Sequence, residues 1–231
     1  PPPPPPPPPH PNPNNHPPQS GRKRAKFKKG RAIDTSNDYL TVAACRGGEV
    51  TVTYEPECRM QHSVRLMSAV DETLARARLS AKDCDFFAAV TGPGSFTGIR
   101  IGVSAVKGFC AALGKPALGI TSFEALAYNA ECRALAVVPA GAGYYYVCGF
   151  ERDKSVFLAP ERADAERVRE LSRSARLILR DPSPFEDARR ADPAAGLVAA
   201  VLAAKEERFG DIAAFYLKKS QAEEERDARG N

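Results

Sequence analysis

From Ala32 onward, short apolar or β-branched runs alternate with stretches of helical period. Ala32-Ile33-Asp34 reads as the end of a strand. Tyr39–Cys45 and Glu49–Glu55 form two further strands, and Arg46-Gly47-Gly48 between them is a hairpin signal. Ser63 to Leu79 places Leu66, Met67, Val70, Leu74 and Ala77 on one side at helical spacing. Phe86–Val90 is a short buried strand, followed by a glycine-rich turn and a helix from Thr97 to Leu113. Lys115-Pro116 ends that helix before a strand at Ala117–Ile120 and a short helix at Phe123–Ala130.

The second half repeats the alternation. Leu135–Val138 and Tyr144–Phe150 read as paired strands around a glycine-rich bend, 161–175 as a helix and Leu177–Arg180 as a strand. Asp192-Pro193 is an N-cap with proline at the first helical position, opening a helix to about residue 207. The charged end from Gln221 reads as frayed. Strands alternating with helices make the chain an α/β protein with a hairpin opening the sheet.

The densest signal is Val90-Thr91-Gly92-Pro93-Gly94-Ser95-Phe96-Thr97-Gly98-Ile99-Arg100-Ile101-Gly102. A strand, a glycine turn and a helix bring backbone N–H groups together where an anion can meet them. The run lacks the Gly-Lys-Ser/Thr of a P-loop, and its spacing departs from a nucleophile elbow by one residue. Ser95 and Thr97 therefore read as helix-capping residues, and Gly92, Pro93, Gly94, Ser95, Thr97 and Gly98 as a structural turn. In the helix that follows, Phe96, Ile99, Val103, Val106, Cys110 and Leu113 make a seam of alternating three- and four-residue steps. Gly98, Gly102 and Gly108 lie beside it, each costing about 1 kcal/mol relative to alanine in a helix interior. Either the helix is buried within its own fold, or one face packs on the sheet while the other meets a partner helix.

Charge changes the picture less than its total suggests. The 231 residues carry a formal net charge of +5. Residues 1–33 hold seven bases and no acid, and without them 26 bases face 28 acids, a net of −2. Proline divides likewise, with 13 of 21 before residue 19. The body lacks the positive excess that phosphate contacts across a whole nucleic-acid-binding fold require. Residues 1–29, Pro-rich and then basic, read as a disordered, solvated tail or the product of a misassigned start, ahead of an RNA-contacting or targeting arm. No uninterrupted apolar stretch approaches the roughly 18–20 residues of a membrane span, and no apolar h-region follows the basic cluster. Six scattered cysteines without a Cys-x-x-Cys pair read as reduced thiols of a cytosolic protein. His62 is the only histidine outside the proline tail, so neither a zinc site nor a Ser-His-Asp triad assembles from the sequence, and catalytic and metal-ligating residues are expected to be absent.

Ala32-Ile33-Asp34-Thr35-Ser36, Gln61-His62-Ser63, the run from Gly92 to Gly102, and Gly119-Ile120-Thr121-Ser122-Phe123-Glu124-Ala125-Leu126 together resemble the TsaB (YeaZ) family. Phe215-Tyr216-Leu217-Lys218 is a weaker match to that family's Pro-x-Tyr-Leu-Arg. The resemblance covers residues 32–220. It implies a two-lobed actin/Hsp70/sugar-kinase-like (ASKHA) fold, with the first lobe at 30–133 better preserved and a reduced second lobe at 134–231. It also implies a non-catalytic subunit in the synthesis of N6-threonylcarbamoyladenosine on tRNA, which supports a TsaD transferase and works with a TsaE-like ATPase.

The implied partner interface lies on the first two long helices, at Met67, Val70, Leu74, Ile99, Gly102, Val103, Val106 and Cys110, and the same faces allow a homodimer. Contact with tRNA is then indirect, and no cofactor is expected. Asp34, Thr35 and Ser36 would be nucleotide-binding only if a nucleotide binds, and the family's second-lobe Asp-Ala-Arg is replaced by Pro139-Ala140-Gly141. The alternative reading is a degenerate ASKHA-type nucleotide-binding or peptidase-like enzyme with Asp34, His62 or Ser95 active.

Overall fold

The computed structural model describes residues 29–181 and 184–217. Strand β1 (Lys29–Asp34) pairs antiparallel with β2 (Leu40–Arg46), which pairs antiparallel with β3 (Glu49–Glu55). Helix α1 (His62–Arg76) returns the chain to β4 (Phe86–Gly92), parallel to β1. Helix α2 (Phe96–Leu113) then returns it to β5 (Ala117–Thr121), parallel to β4, and α3 (Ser122–Ala127) leaves the sheet.

A second sheet repeats this plan. Strands β6 (Ala134–Gly141), β7 (Tyr144–Phe150) and β8 (Val156–Asp164) form an antiparallel meander. Helix α4 (Ala165–Ser172) leads to β9 (Arg176–Leu179), parallel to β6, and the two-residue β10 (Arg189–Arg190) is parallel to β9. The strand orders are β5-β4-β1-β2-β3 and β10-β9-β6-β7-β8, one topology used twice. The copy is reduced: α4 has 8 residues against 15 in α1, and the 18-residue α2 has no helical counterpart among the described residues between β9 and β10.

The chain then goes back to the first sheet. Helix α5 (Pro193–Ala203) packs Leu197, Ala200 and Val201 against Ala32, Ala88 and Val90, and β11 (Phe209–Gly210) adds to the free edge of β5. The expected lobe boundary falls at the first residue of β6, yet residues 193–217 belong by packing to both lobes.

Side-chain alternation along β1 and β4 separates two core layers. Ile33, Phe87 and Ala89 face α1 and α2, while Ala32, Ala88 and Val90 face α5. Helix α3 joins the halves, burying Phe123, Leu126 and Ala127 against Ala136, Val138 and Ile178 of the second sheet.

Several expected elements differ from the observed ones: no strand is expected where β8 begins at Val156, and α3 ends at Ala127 rather than Ala130. The predicted helix at 161–175 starts only at Ala165, because Glu161–Asp164 continue β8, and Asp164 caps the helix by accepting the Arg167 amide at 2.8 Å. The last helix stops at Ala203 rather than near 207, since Ala204 is extended and the next turn is 3₁₀. Strands β10 and β11 are too short to carry a periodic pattern. The basic arm before Lys29 and the charged end from Gln221 lie outside the described residues.

Candidate functional site: the interlobe cleft and the paired helices

The carboxyl ends of β1 and β4 point toward the junction of the two sheets, the place where an open α/β sheet binds ligands. Asp34 ends β1 there and is 1% exposed. Its Oδ1 accepts the Ser36 amide at 2.8 Å and the Ser36 hydroxyl at 2.6 Å, and its Oδ2 accepts the Tyr39 hydroxyl at 2.7 Å. Both oxygens are thus occupied by the chain's own donors. Burial, followed by the neighbouring Asp34 charge, pushes the Tyr39 phenol well above its ordinary range. The Arg180 guanidinium, following β9, lies 4.4 Å from the centre of the Tyr39 ring. Pro139, Val138 and Val137 close the second-lobe side of the cleft, and Ser122 and Leu126 of α3 form its floor. The cavity left is about 30 Å³.

The glycine turn docks on the same loop. The Ser95 amide donates to the Ser36 carbonyl at 2.7 Å, and Ser95 caps α2 by accepting the Gly98 amide at 3.2 Å. Gly92 has φ +115°, and the Gly92–Pro93 peptide is cis. A Cβ at Gly94 would strike the Ser36 carbonyl oxygen, and one at Gly98 would strike that of Thr35. The Thr35 hydroxyl donates to the Gly98 carbonyl at 2.7 Å. The turn residues are brought together with Asp34, Thr35 and Ser36, and the glycines of α2's first half are explained by the approach of this loop. Thr97 is exposed and takes no part in the cap. His62 is buried, its Nε2 3.0 Å from the Tyr39 carbonyl; a carbonyl only accepts, so this nitrogen carries the proton and His62 holds the loop in place. Among the described residues no three His, Cys, Asp or Glu side chains cluster as a metal site.

The expected partner-interface residues divide differently. Val70, Leu74, Ile99, Gly102, Val103 and Val106 are all buried in the layer between α1, α2 and the first sheet. The seam on α2 is therefore its sheet-facing side, and these six positions are core. Cys110 is half-buried, and Met67 alone of the eight is exposed, at 48%. What the helices leave open is a different set: Met60 just before α1, Val64 and Met67 on α1, and Thr97, Arg100, Ser104, Gly108 and Ala111 along α2. A Cβ added at Gly108 would meet no atom within 4 Å, so neither the sheet nor α1 crowds it. Helix α2 also has the length and apolar content of a membrane span, contrary to the reading of the sequence, but it carries Arg100 and Lys107 and lays its Ile99–Val103–Val106 side on the sheet. Tyr39 and Arg180 escaped the sequence reading. A tyrosine at a strand start and an arginine after Leu177-Ile178-Leu179 carry no motif, and only the fold brings them together.

Two sheets of one topology, facing each other across a strand-end cleft beneath a shared helix, define a two-lobed α/β protein of the actin/Hsp70/sugar-kinase type with a closed cleft. The family model TsaD, described as tRNA N6-adenosine threonylcarbamoyltransferase, matches residues 55–179, more than half of the chain. The chain is 30% identical over 154 residues to the tRNA threonylcarbamoyladenosine biosynthesis protein TsaB of Escherichia coli, covering 61% of this chain and 66% of that one. It is 39% identical over 98 residues to the protein of the same name from Bacillus subtilis, covering 42% and 43%. A Pseudomonas aeruginosa structure described as an uncharacterized protein with similarity to peptidase YEAZ superposes with a TM-score of 0.67 at 24% identity, over 83% of this chain and 100% of that one. The structure of YeaZ from Pseudomonas aeruginosa gives 0.52 at 29% identity, over 59% and 66%. The chain belongs to the family described by the TsaD model and, by these relatives, to its TsaB (YeaZ) members. It spans slightly under two thirds of the E. coli relative's length and less than half of the B. subtilis one's.

Proposed function

We propose that this chain is a non-catalytic subunit in the synthesis of N6-threonylcarbamoyladenosine on tRNA, acting in the cytoplasm by binding and supporting a TsaD-type transferase. The observation that carries this reading is the closed cleft, in which Asp34 is engaged by the chain's own Ser36 amide, Ser36 hydroxyl and Tyr39 hydroxyl. The names of the curated relatives support the pathway. The transferase would dock on the open faces of α1 and α2. Met67 remains in that interface, and Val64, Ser104 and Gly108 replace the buried positions expected from the sequence. A TsaE-like ATPase would join through the pair, a homodimer would use the same faces when the transferase is absent, and tRNA would be reached through the partner.

Co-purification with a TsaD-type transferase tests the reading. Met67→Glu with Val64→Glu should abolish the complex while leaving the circular dichroism spectrum and melting temperature near those of the parent. Val103→Arg, which places a charge in the core, should instead cost the fold itself. Retention of the transferase by the Val64/Met67 double variant would remove the docking face from the proposal.

A further inference from the structure

Tyr39 is held from three directions. Its hydroxyl donates to Asp34, its carbonyl accepts from His62, and its ring face lies under the Arg180 guanidinium. The first two partners belong to the first lobe and the third to the second. Arg180 follows β9, which matches β4 in the repeated topology, so it occupies the strand end that carries the glycine turn in the first lobe. The second lobe, with no helix like α2 there among the described residues, presents a half-buried arginine to the cleft instead. Behind this contact lies the 30 Å³ cavity, lined by Asp34, Asn37 and Ser122. Ser122 is 5% exposed, and its hydroxyl has no hydrogen-bond partner among the described residues. That space suits a water or two and nothing larger.

We infer that Arg180 and Tyr39 form a latch across the cleft, anchored on Asp34, which holds the two lobes closed. The anchor makes the latch rigid on one side: Asp34 is fixed by the Ser36 amide and hydroxyl, and Asn37 donates to the Ser36 hydroxyl at 3.0 Å. The groups facing Tyr39 are therefore Asp34, Asn37, His62, Arg180 and the tilted Tyr54 ring, whose centre is 5.7 Å away. On the other side Arg180 contributes a cation on an aromatic face, a contact that strengthens when water is excluded. Removing it opens the route by which water reaches the cavity.

The latch separates from a mere surface contact by the sign of one change. Asp34 and burial raise the Tyr39 phenol pKa, whereas the Arg180 charge lowers it. If Arg180 only touched the ring, Arg180→Ala would remove a favourable cation and Tyr39 would ionise at still higher pH. If Arg180 holds the cleft shut, water enters and Tyr39 ionises at lower pH, toward the ordinary phenol range. Tyrosinate absorbance on the full chain, with Arg180→Ala and Arg180→Met each compared with the same variant carrying Tyr39→Phe, isolates this one group among seven tyrosines. Amide exchange at Ser36 near neutral pH supplies a second reading, with an acceleration of about tenfold expected for loss of a contact of this strength. A Tyr39 titration that moves down, with faster exchange at Ser36, supports the latch. A titration that moves up or stays, or an unchanged Ser36 amide, overturns it.

Discussion

Arg31 should be replaceable with a gain in stability. It lies on β1, on the face covered by α1 and α2, and is 1% exposed. Its guanidinium carbon is 3.8 Å from the centre of the Phe109 ring and 4.8 Å from that of Phe87, and those two rings stack at 5.3 Å. None of its three side-chain nitrogens has a hydrogen-bond partner among the described residues. Burial lowers its pKa from the usual 12.5 to about 10, against small opposing contributions from Cys84, Asp71 and Cys110. That lowering corresponds to about 3 kcal/mol of unfavourable charge burial. The two ring contacts return about 1–2 kcal/mol. Methionine fills a similar volume, adapts to an irregular site and keeps sulfur against the rings. Arg31→Met should therefore stabilise the fold by about 1–2 kcal/mol, which for a chain of this size raises Tm by about 2–8 °C. Because arginine stays protonated at working pH, the gain should persist across the neutral range. Urea denaturation and scanning calorimetry measure it. Arg31→Lys, a more strongly hydrated charge, should destabilise instead. A lower Tm for Arg31→Met would refute the reasoning, because it would mean that the guanidinium is stabilised by more than the two rings.

Three further predictions rest on other elements. Gly98→Ala should destabilise by about 2 kcal/mol or more, because the new methyl meets the Thr35 carbonyl; Gly108→Ala, with open space around it, should stabilise by up to about 1 kcal/mol, both read by denaturant titration. Asp192 caps α5 by accepting the Ala195 amide at 3.0 Å, so Asp192→Ala should cost about 1 kcal/mol in the same assay. Among the six cysteines Cys132 is the exposed one and should react first with a thiol reagent at pH 8. Cys148, whose thiol burial pushes up to about 12, should remain unmodified until the fold opens, and mass spectrometry of partly labelled protein shows the order.

What the sequence disclosed follows the range of the interactions involved. The helix caps at Ser95 and Asp192 and the hairpin at Gly47-Gly48 are local, and their residues announced them. The face of α2 that meets the sheet was not legible. Its Ile99–Val103–Val106 seam and its Gly98–Gly102 row suit either a partner helix or the protein's own sheet, and periodicity cannot separate the two. The answer came from Thr35, 63 residues upstream of Gly98, which approaches so closely that only glycine fits. Likewise Glu161–Asp164 have helical character by composition, yet pairing with β7 keeps them in a strand, a tertiary override of local preference. Tyr39 and Arg180 are 141 positions apart and meet only because two copies of one topology face each other.

That repetition also explains why the two sides of the cleft are chemically unequal. In the first lobe a long α2 follows β4, and its first turn is held to the β1–β2 loop by Ser95 and Thr35. In the second lobe the corresponding connection has no such helix among the described residues, and β6 carries Pro139 on the cleft, whereas β1 ends there in Asp34. One lobe thus supplies a carboxylate already committed to its own loop, and the other supplies an apolar wall and one arginine aimed at a tyrosine ring. The side chains meeting at this junction fasten one lobe to the other. Outside the cleft, Val64 and Met67 of α1 are among the large apolar side chains that the first lobe leaves exposed, with Val50, Tyr54 and Met60, and the proposed docking face draws on the α1 pair.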